Sequence, residues 1–402
     1  MKKGWQTKTL GDVCEFQRGL TYSKGDEVDL SDNVVLRAMN IDLASHRLDF
    51  SDLKYISDEV VVPESKKVKI GSLMICTASG SKSHLGKIAF IDEDYGYAFG
   101  GFMGMLTPSN DLVPKYLFHL MTSGAYEDFI GALADGMNIN NLKFDELRQF
   151  QVPFPPLAEQ KRIVGILDEA FAGLATAKAN AEKNLQNARA LFESHLQSVF
   201  SQRGDGWLED QLDALTVADS PITYGVVKPG NEGEVRFVRG GDLVRGKVRL
   251  TQLRTITKAV SDQYRRTLLK GGELLICLVG QPGQVGVAPL ELAGANIARQ
   301  VGLIRLKSIV DAEFVRYFLQ SAPGAEVLGA RESGSVQQVI NLGELRQVQV
   351  PYPSLDQQRE IITRLETMEA ETQRLADIYQ SKLAALEALK KSLLHQAFSG
   401  EL

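Results

Sequence analysis

The residues able to do covalent or metal chemistry are few, and their spacing assembles no reaction centre. Gly80-Ser81-Lys82-Ser83-His84-Leu85-Gly86-Lys87-Ile88 approximates a phosphate-binding loop. It has one residue too many between its glycines, and Ile88 stands where a magnesium-binding hydroxyl is needed. Adenine methylation needs an Asn/Asp-Pro-Pro-Tyr/Phe loop to hold the flipped base, and the chain contains no Asn-Pro or Asp-Pro. The five histidines (His46, His84, His119, His195, His395) have no metal-ligand spacing to one another or to cysteine. Cys76 and Cys277 lie in matching apolar runs and read as small buried residues rather than nucleophiles. Asp52-Leu53-Lys54 is a nuclease-like fragment too short to be distinctive.

What remains is binding chemistry. Residues 222–308 hold 14 Lys and Arg against 6 Asp and Glu, a net +8, which suits phosphate. Residues 20–110 hold 9 against 13, a net −4, and the whole chain carries −5. The 402 residues allow two or three domains at roughly 150 residues each. A hydrophobic share of 44% and a charged share of 24% are those of a soluble globular protein. No apolar run approaches the ~18–20 residues of a membrane span. Met1-Lys2-Lys3-Gly4-Trp5 does not open a secretory signal, and three cysteines without a CxxC spacing make no disulfide framework. A reducing cytoplasm is therefore expected.

The elements that must carry this binding surface are written twice. Glu146–Gln160 aligns without gaps on Glu344–Gln358, with 10 of 15 residues identical at an offset of 198. The offset still holds where Phe200-Ser201 meets Phe398-Ser399. Upstream it drifts: Trp5 matches Trp207, Thr21-Tyr22 matches Thr223-Tyr224 and Arg37 matches Arg239, all at 202. Each half is thus a globular part of about 150 residues followed by a tail of about 45. The expected division is 1–152, 153–202, 203–350 and 351–402.

Val34-Val35-Leu36, Leu73-Met74-Ile75-Cys76 and the run 301–306 are strand signals, and 113–123 and 312–321 read as short amphipathic helices. The globular parts are expected to be mixed α/β. Val152-Pro153-Phe154-Pro155-Pro156 must be extended. Beyond it, apolar residues recur at helical spacing: Ile163, Leu167, Leu174 and Leu191 in one tail, Ile361, Leu365, Leu375 and Leu386 in the other. Each tail predicts a helix of about 40 residues, near 60 Å at ~1.5 Å per residue. A narrow apolar stripe of that length needs a partner. The first stripe is Ala-rich and the second Leu-rich, so the simplest partner for each is the other.

The Pro-rich lead-in 152–163, its copy 350–358 and the closing Ala397-Phe398-Ser399-Gly400-Glu401-Leu402 resemble hallmarks of the specificity (S) subunits of Type I DNA restriction–modification systems, the HsdS family. The resemblance covers the whole chain. It implies two target-recognition domains separated by two long helices packed as an antiparallel coiled coil, with an internal pseudo-twofold repeat. It implies that each domain reads one half of a bipartite site on double-stranded DNA and that the helices dock two methyltransferase subunits. Those subunits would hold S-adenosylmethionine and methylate adenine, and restriction–translocase subunits would join through them. The chain itself would hold no cofactor and no metal and would not be an enzyme. A coiled-coil interaction protein whose globular domains bind proteins is the alternative reading.

Two segments in each domain resemble the family's variable, DNA-facing parts: 77–87 and 136–141 in the first, 278–286 and 334–338 in the second. Asn and Gln can bond adenine bidentately, Arg can bond guanine, and Ser, Thr and Lys suit phosphates. The DNA-contacting set expected in the first domain is Tyr22, Lys24, Arg37, Asn40, Ser79, Ser81, Lys82, Lys87, Asn138, Asn140 and Asn141. In the second it is Tyr224, Arg239, Arg245, Lys247, Arg249, Gln281, Gln284, Arg299, Gln300, Gln337 and Gln338.

Overall fold

The computed structural model describes residues 4–81, 84–135, 141–329 and 339–402. Two helices of equal length dominate, Leu157–Ser201 and Leu355–Ser399, each 45 residues. Packing divides the chain into two compact units that cut through both helices: 1–181 with 381–402, and 182–380. Each unit therefore holds one globular domain, the start of the helix that follows it and the end of the other helix.

In the first unit an antiparallel sheet runs in the order Cys14–Arg18, Met103–Pro108, Leu73–Cys76, Ile88–Phe90. A second sheet orders Glu27–Val28, Lys54–Ile56, Asn33–Leu36 and Ala98–Phe99, the last pair parallel. Leu73, Ile75 and Leu106 pack into the core on Tyr116, Leu117 and Leu120 of the short helix Pro114–Leu120. The second unit repeats the plan. Its main sheet is six-stranded, with Val301–Ile304 beside Leu274–Cys277 at its heart, and its short helix is Ala312–Gln320.

The Pro-rich lead-ins form strands. Gln151–Phe154 pairs with Gln6–Thr9, and Gln349–Tyr352 with Leu208–Gln211, each as a two-stranded ribbon where proline is tolerated. Where each ribbon gives way to its helix, a fully buried glutamine locks the helix to its domain. Gln160 Oε1 accepts from Val113 N–H at 2.8 Å, and its Nε2 donates to the carbonyls of Asp111 and Pro155, both at 3.0 Å. Gln358 makes the same three bonds with Asp311 (2.8 Å), Ile309 (3.1 Å) and Pro353 (2.8 Å). A buried primary amide must satisfy both its ends, which explains why the same residue recurs there.

The far end of the other helix closes each core. Phe398 lies 5.2 Å from Tyr116 in the first unit, and Phe200 lies 5.3 Å from Phe314 in the second. In the first unit Arg162 donates to the Leu402 carbonyl at 2.7 Å and Lys390 sits over the Phe171 ring. Within this unit the two helix segments therefore run in opposite senses.

The apolar stripe departs from expectation at two places. Ile163, Leu167 and Leu365 are buried, and Leu174, Ile361 and Leu386 are half-buried. Leu191 and Leu375 are exposed. After Ala188 the stripe steps four residues rather than three, so Phe192 and Leu196 turn inward. On the other helix Thr372 and Ala376 take the inner face that Leu375 was expected to hold. No helix among the described residues is long and apolar enough to cross a membrane.

Candidate nucleic-acid interface

In the second domain three chain reversals meet at one end of the sheets. Strand Val235–Val238 runs into the turn Gly240–Asp242, strand Leu274–Cys277 into the loop from 278, and Ala298–Gln300 joins two further strands. Ala298 N–H donates to the Val238 carbonyl at 2.8 Å, and Leu278 N–H to the Gln300 carbonyl at 2.7 Å. Ile340 N–H donates to the Leu278 carbonyl at 2.9 Å, and Val279 bridges Val339. Gly240 lies so close to Cys277 that a Cβ there would overlap the sulfur.

The first domain builds the same junction. Gly100 N–H donates to the Leu36 carbonyl (2.9 Å), Thr77 N–H to the Phe102 carbonyl (2.9 Å) and Leu142 N–H to the Thr77 carbonyl (2.6 Å), while Ala78 bridges Asn141. In both domains, then, the loop after the central strand is tied to the chain that leads into the ribbon. The tying residues are Asn141 and Leu142 in the first domain and Val339 and Ile340 in the second.

The side chains on this common frame differ. In the second domain Asp242 is fully buried. Its Oδ2 accepts from the Arg239 backbone N–H (2.8 Å) and Nε (3.2 Å), and its Oδ1 accepts from Arg249 Nη2 (3.0 Å). Burial alone would raise its proton affinity, but the hydrogen bonds from Arg239 and Arg249 outweigh it and hold the carboxyl below the usual range. Arg245 donates to Gln373 of the second long helix at 2.9 Å. Arg245 and Gln284 line a cavity of about 460 Å³ with residues of both helices, Arg189 and Gln373 among them. Tyr224, Lys247, Gln281, Arg299 and Gln300 are exposed.

In the first domain the residue in the place of Asp242 is Asn40. It is buried, accepts from the Arg37 backbone N–H (2.8 Å) and donates to the carbonyls of Asp49 and Asp52 (both 2.9 Å). Asn40 is thus a buried backbone brace rather than the surface amide the sequence suggests. Lys87 is also withdrawn: it is buried and its ammonium donates to the Ile41 carbonyl at 3.1 Å. Arg37 pairs with exposed Asp52 at 3.4 Å. Lys24, Ser81 and Asn141 are exposed and Ser79 is half-buried. Lys82, Asn138, Asn140, Gln337 and Gln338 lie outside the described residues.

The pairing of Tyr22 with Tyr224 fails. Tyr224 sits opposite Gly302 and Arg18 opposite Gly104, so Arg18 holds the position of Tyr224. Tyr22 is half-buried against Leu20, Val35 and Ile56. One surface residue escaped the sequence reading. Phe102 is 74% exposed on the turn where the second domain carries Gln300. The offset of 198, which aligns Met103 with Val301, places it there.

The family model described as Type I restriction modification DNA specificity domain matches residues 2–185 and 227–380. The chain is 28% identical to the Type I restriction enzyme EcoKI specificity subunit of Escherichia coli strain K12, over 100% of this chain and 90% of that one. The StySPI specificity subunit of Salmonella potsdam is 28% identical with the same coverage. Among solved structures, a chain described under complex assembly and conformational transition of the type I R-M system superposes with a TM-score of 0.78 at 19% identity, covering 100% and 99% of the two chains. The HsdS subunit from Thermoanaerobacter tengcongensis superposes at 0.60 with 20% identity, covering 100% and 98%. At those identities the structural likeness is one of fold.

Proposed function

This chain belongs to the type I restriction–modification DNA specificity family, and on that premise we propose that it is the sequence-reading subunit of a type I complex, supplying contacts and no chemistry. The observation that carries the reading is the shared three-turn junction with different side chains on it. A constant frame with divergent donors and acceptors is what two readers of two different half-sites need. Each domain reads one half of a bipartite duplex site. Two methyltransferase subunits dock on the long helices, hold S-adenosylmethionine and methylate adenine; translocase–endonuclease subunits join through them in the cytoplasm. The two helices are of equal length, 45 residues each, which suits a spacer whose length is held constant in both halves.

The second domain, at +8, supplies most of the nonspecific phosphate attraction, and the first, at −4, depends more on its base contacts and on partner subunits. The test is to co-express the chain with its methyltransferase and map methylated adenines. A split motif is expected. Replacing residues 207–344 by another family member's domain should change one half of that motif only. A motif altered in both halves, or methylation without sequence preference, would overturn the reading.

A further inference from the structure

We infer that Asp242 is a positioning residue that holds Arg239 and Arg249 as one preformed two-guanidinium reader of a guanine edge in the second domain's half-site. The inference rests on the DNA-reading function proposed above. Asp242 has no exposed surface, yet the arginine side chains bonded to it are 42% and 46% exposed. Its oxygens take the Arg239 N–H, Nε and Nη2 and the Arg249 Nη2. Among the described residues no hydrogen bond takes the Nη1 of either arginine. Each guanidinium is therefore gripped from the protein side with N–H donors left over.

A buried carboxylate is costly unless charge partners compensate it, and compensation from core residues would have left the surface arginines loose. Here the compensation comes from surface arginines, so holding them is what the carboxylate does. The turn that carries Asp242 and follows Arg239 abuts Cys277 at the root of the loop from 278. An arginine already fixed in its fork geometry loses less entropy on binding guanine O6 and N7 than a free one. The first domain lacks the device: Asn40 is uncharged and spends its amide on two backbone carbonyls.

The test uses the complex reconstituted with its methyltransferase and duplexes carrying its mapped site, single-base changes in either half, or unrelated sequence. Asp242→Asn should reduce discrimination at a guanine of the second half-site by about tenfold or more, as expected for one bidentate contact. Discrimination in the first half should be unchanged, and affinity for unrelated duplex unchanged or higher, because a negative charge is gone. A merely structural role would lower all three together and would overturn the inference. Arg239→Lys and Arg249→Lys keep charge and exposure but lose the fork, and decide the matter if Asp242→Asn misfolds. They should lose the same discrimination while keeping the affinity for unrelated duplex. Full discrimination in both lysine variants, or a loss that is uniform across sequences as for a phosphate contact, would also overturn it. Wild-type complex that discriminates in neither half would instead sink the DNA-reading function itself.

Discussion

Arg37 and Arg239 leave the same backbone turn, yet the first leans on an exposed Asp52 and the second on a buried Asp242. The switch between them is one side-chain atom, the amide nitrogen of Asn40 against the second oxygen of Asp242. An amide there turns its donor onto the carbonyls of Asp49 and Asp52 and braces the hairpin. A carboxylate has no donor, so it gathers guanidinium groups instead. The two domains thus share a scaffold and differ in how it is charged. The same contrast appears one turn away, where Phe102 offers an apolar face and Gln300 an amide.

The shared parts should respond equally to the same change, and that is the hardest test of the comparison. Gln160→Ala and Gln358→Ala each strand one buried N–H and two carbonyls. Each should cost about 3 kcal/mol, the scale of unsatisfied buried partners. Thermal unfolding of the two variants should show losses of similar size. A large loss in one and none in the other would mean that the two helix anchors are not equivalent.

The divergent parts should respond separately. Phe102→Ala should weaken the complex at the first half-site by about 1–2 kcal/mol, the scale of an apolar contact to a thymine methyl or a stacked base. Binding to duplexes altered in the second half should fall by the same factor, since that domain is untouched. Gln300→Ala should do the converse. If Phe102→Ala leaves every affinity unchanged, its exposure has no part in reading.

These contrasts also mark what sequence could and could not reveal. The helices were legible because 45 residues of repeating pattern average out local noise, and the lead-ins because proline excludes helix. Side-chain direction was not legible. Lys87 looked like a surface cation in a polar loop, but it lies next to strand Ile88–Phe90 and finds the Ile41 carbonyl inside. Asn40 carries the right groups for adenine, and the backbone claims them first. The match of Thr21-Tyr22 with Thr223-Tyr224 was real as letters, but the structure aligns Gly19 with Gly225, each pressed against the same strand's carbonyl. Four residues gained and then lost again between Leu212 and Arg239 hide that register from any constant offset. Leu191 and Leu375 fell to a step of three or four residues that periodicity alone leaves open.

The helices differ in one further respect. The first contains Gly165 and Gly173, the second no glycine. A Cβ at either position meets nothing within 4 Å. Gly165→Ala and Gly173→Ala should each stabilise the free chain by up to ~1 kcal/mol, the helix-interior difference between the two residues. Denaturant unfolding would measure it. A loss of methyltransferase binding in either variant would show instead that a partner needs the bare backbone there.

The smallest expected effect separates the units by pH. His119 is buried, with Nε2 at 2.8 Å from Asp168 Oδ1, and Tyr317 takes its place in the second unit, donating to Glu369 at 2.8 Å. Burial, helped by Lys115 and Lys390, pushes the His119 proton affinity down, and this outweighs the upward pull of Asp168. Its folded value lies below the ordinary histidine value of about 6.5, so the folded chain binds fewer protons than the unfolded chain. Stability from this site is complete above that value and is lost as pH falls from it toward the folded value. Asp168 is lowered from 3.8 despite its own burial, through Lys115 and His119, so its share is lost only at more acid pH. His46 is shifted down by burial too and acts in the same direction as His119. His119→Tyr, which copies the second unit, should therefore remove part of the fall in melting temperature between about pH 6.5 and 5 and leave the share of His46. If wild type and His119→Tyr fall in parallel over that window, His119 does not titrate in the way its burial against Asp168 requires.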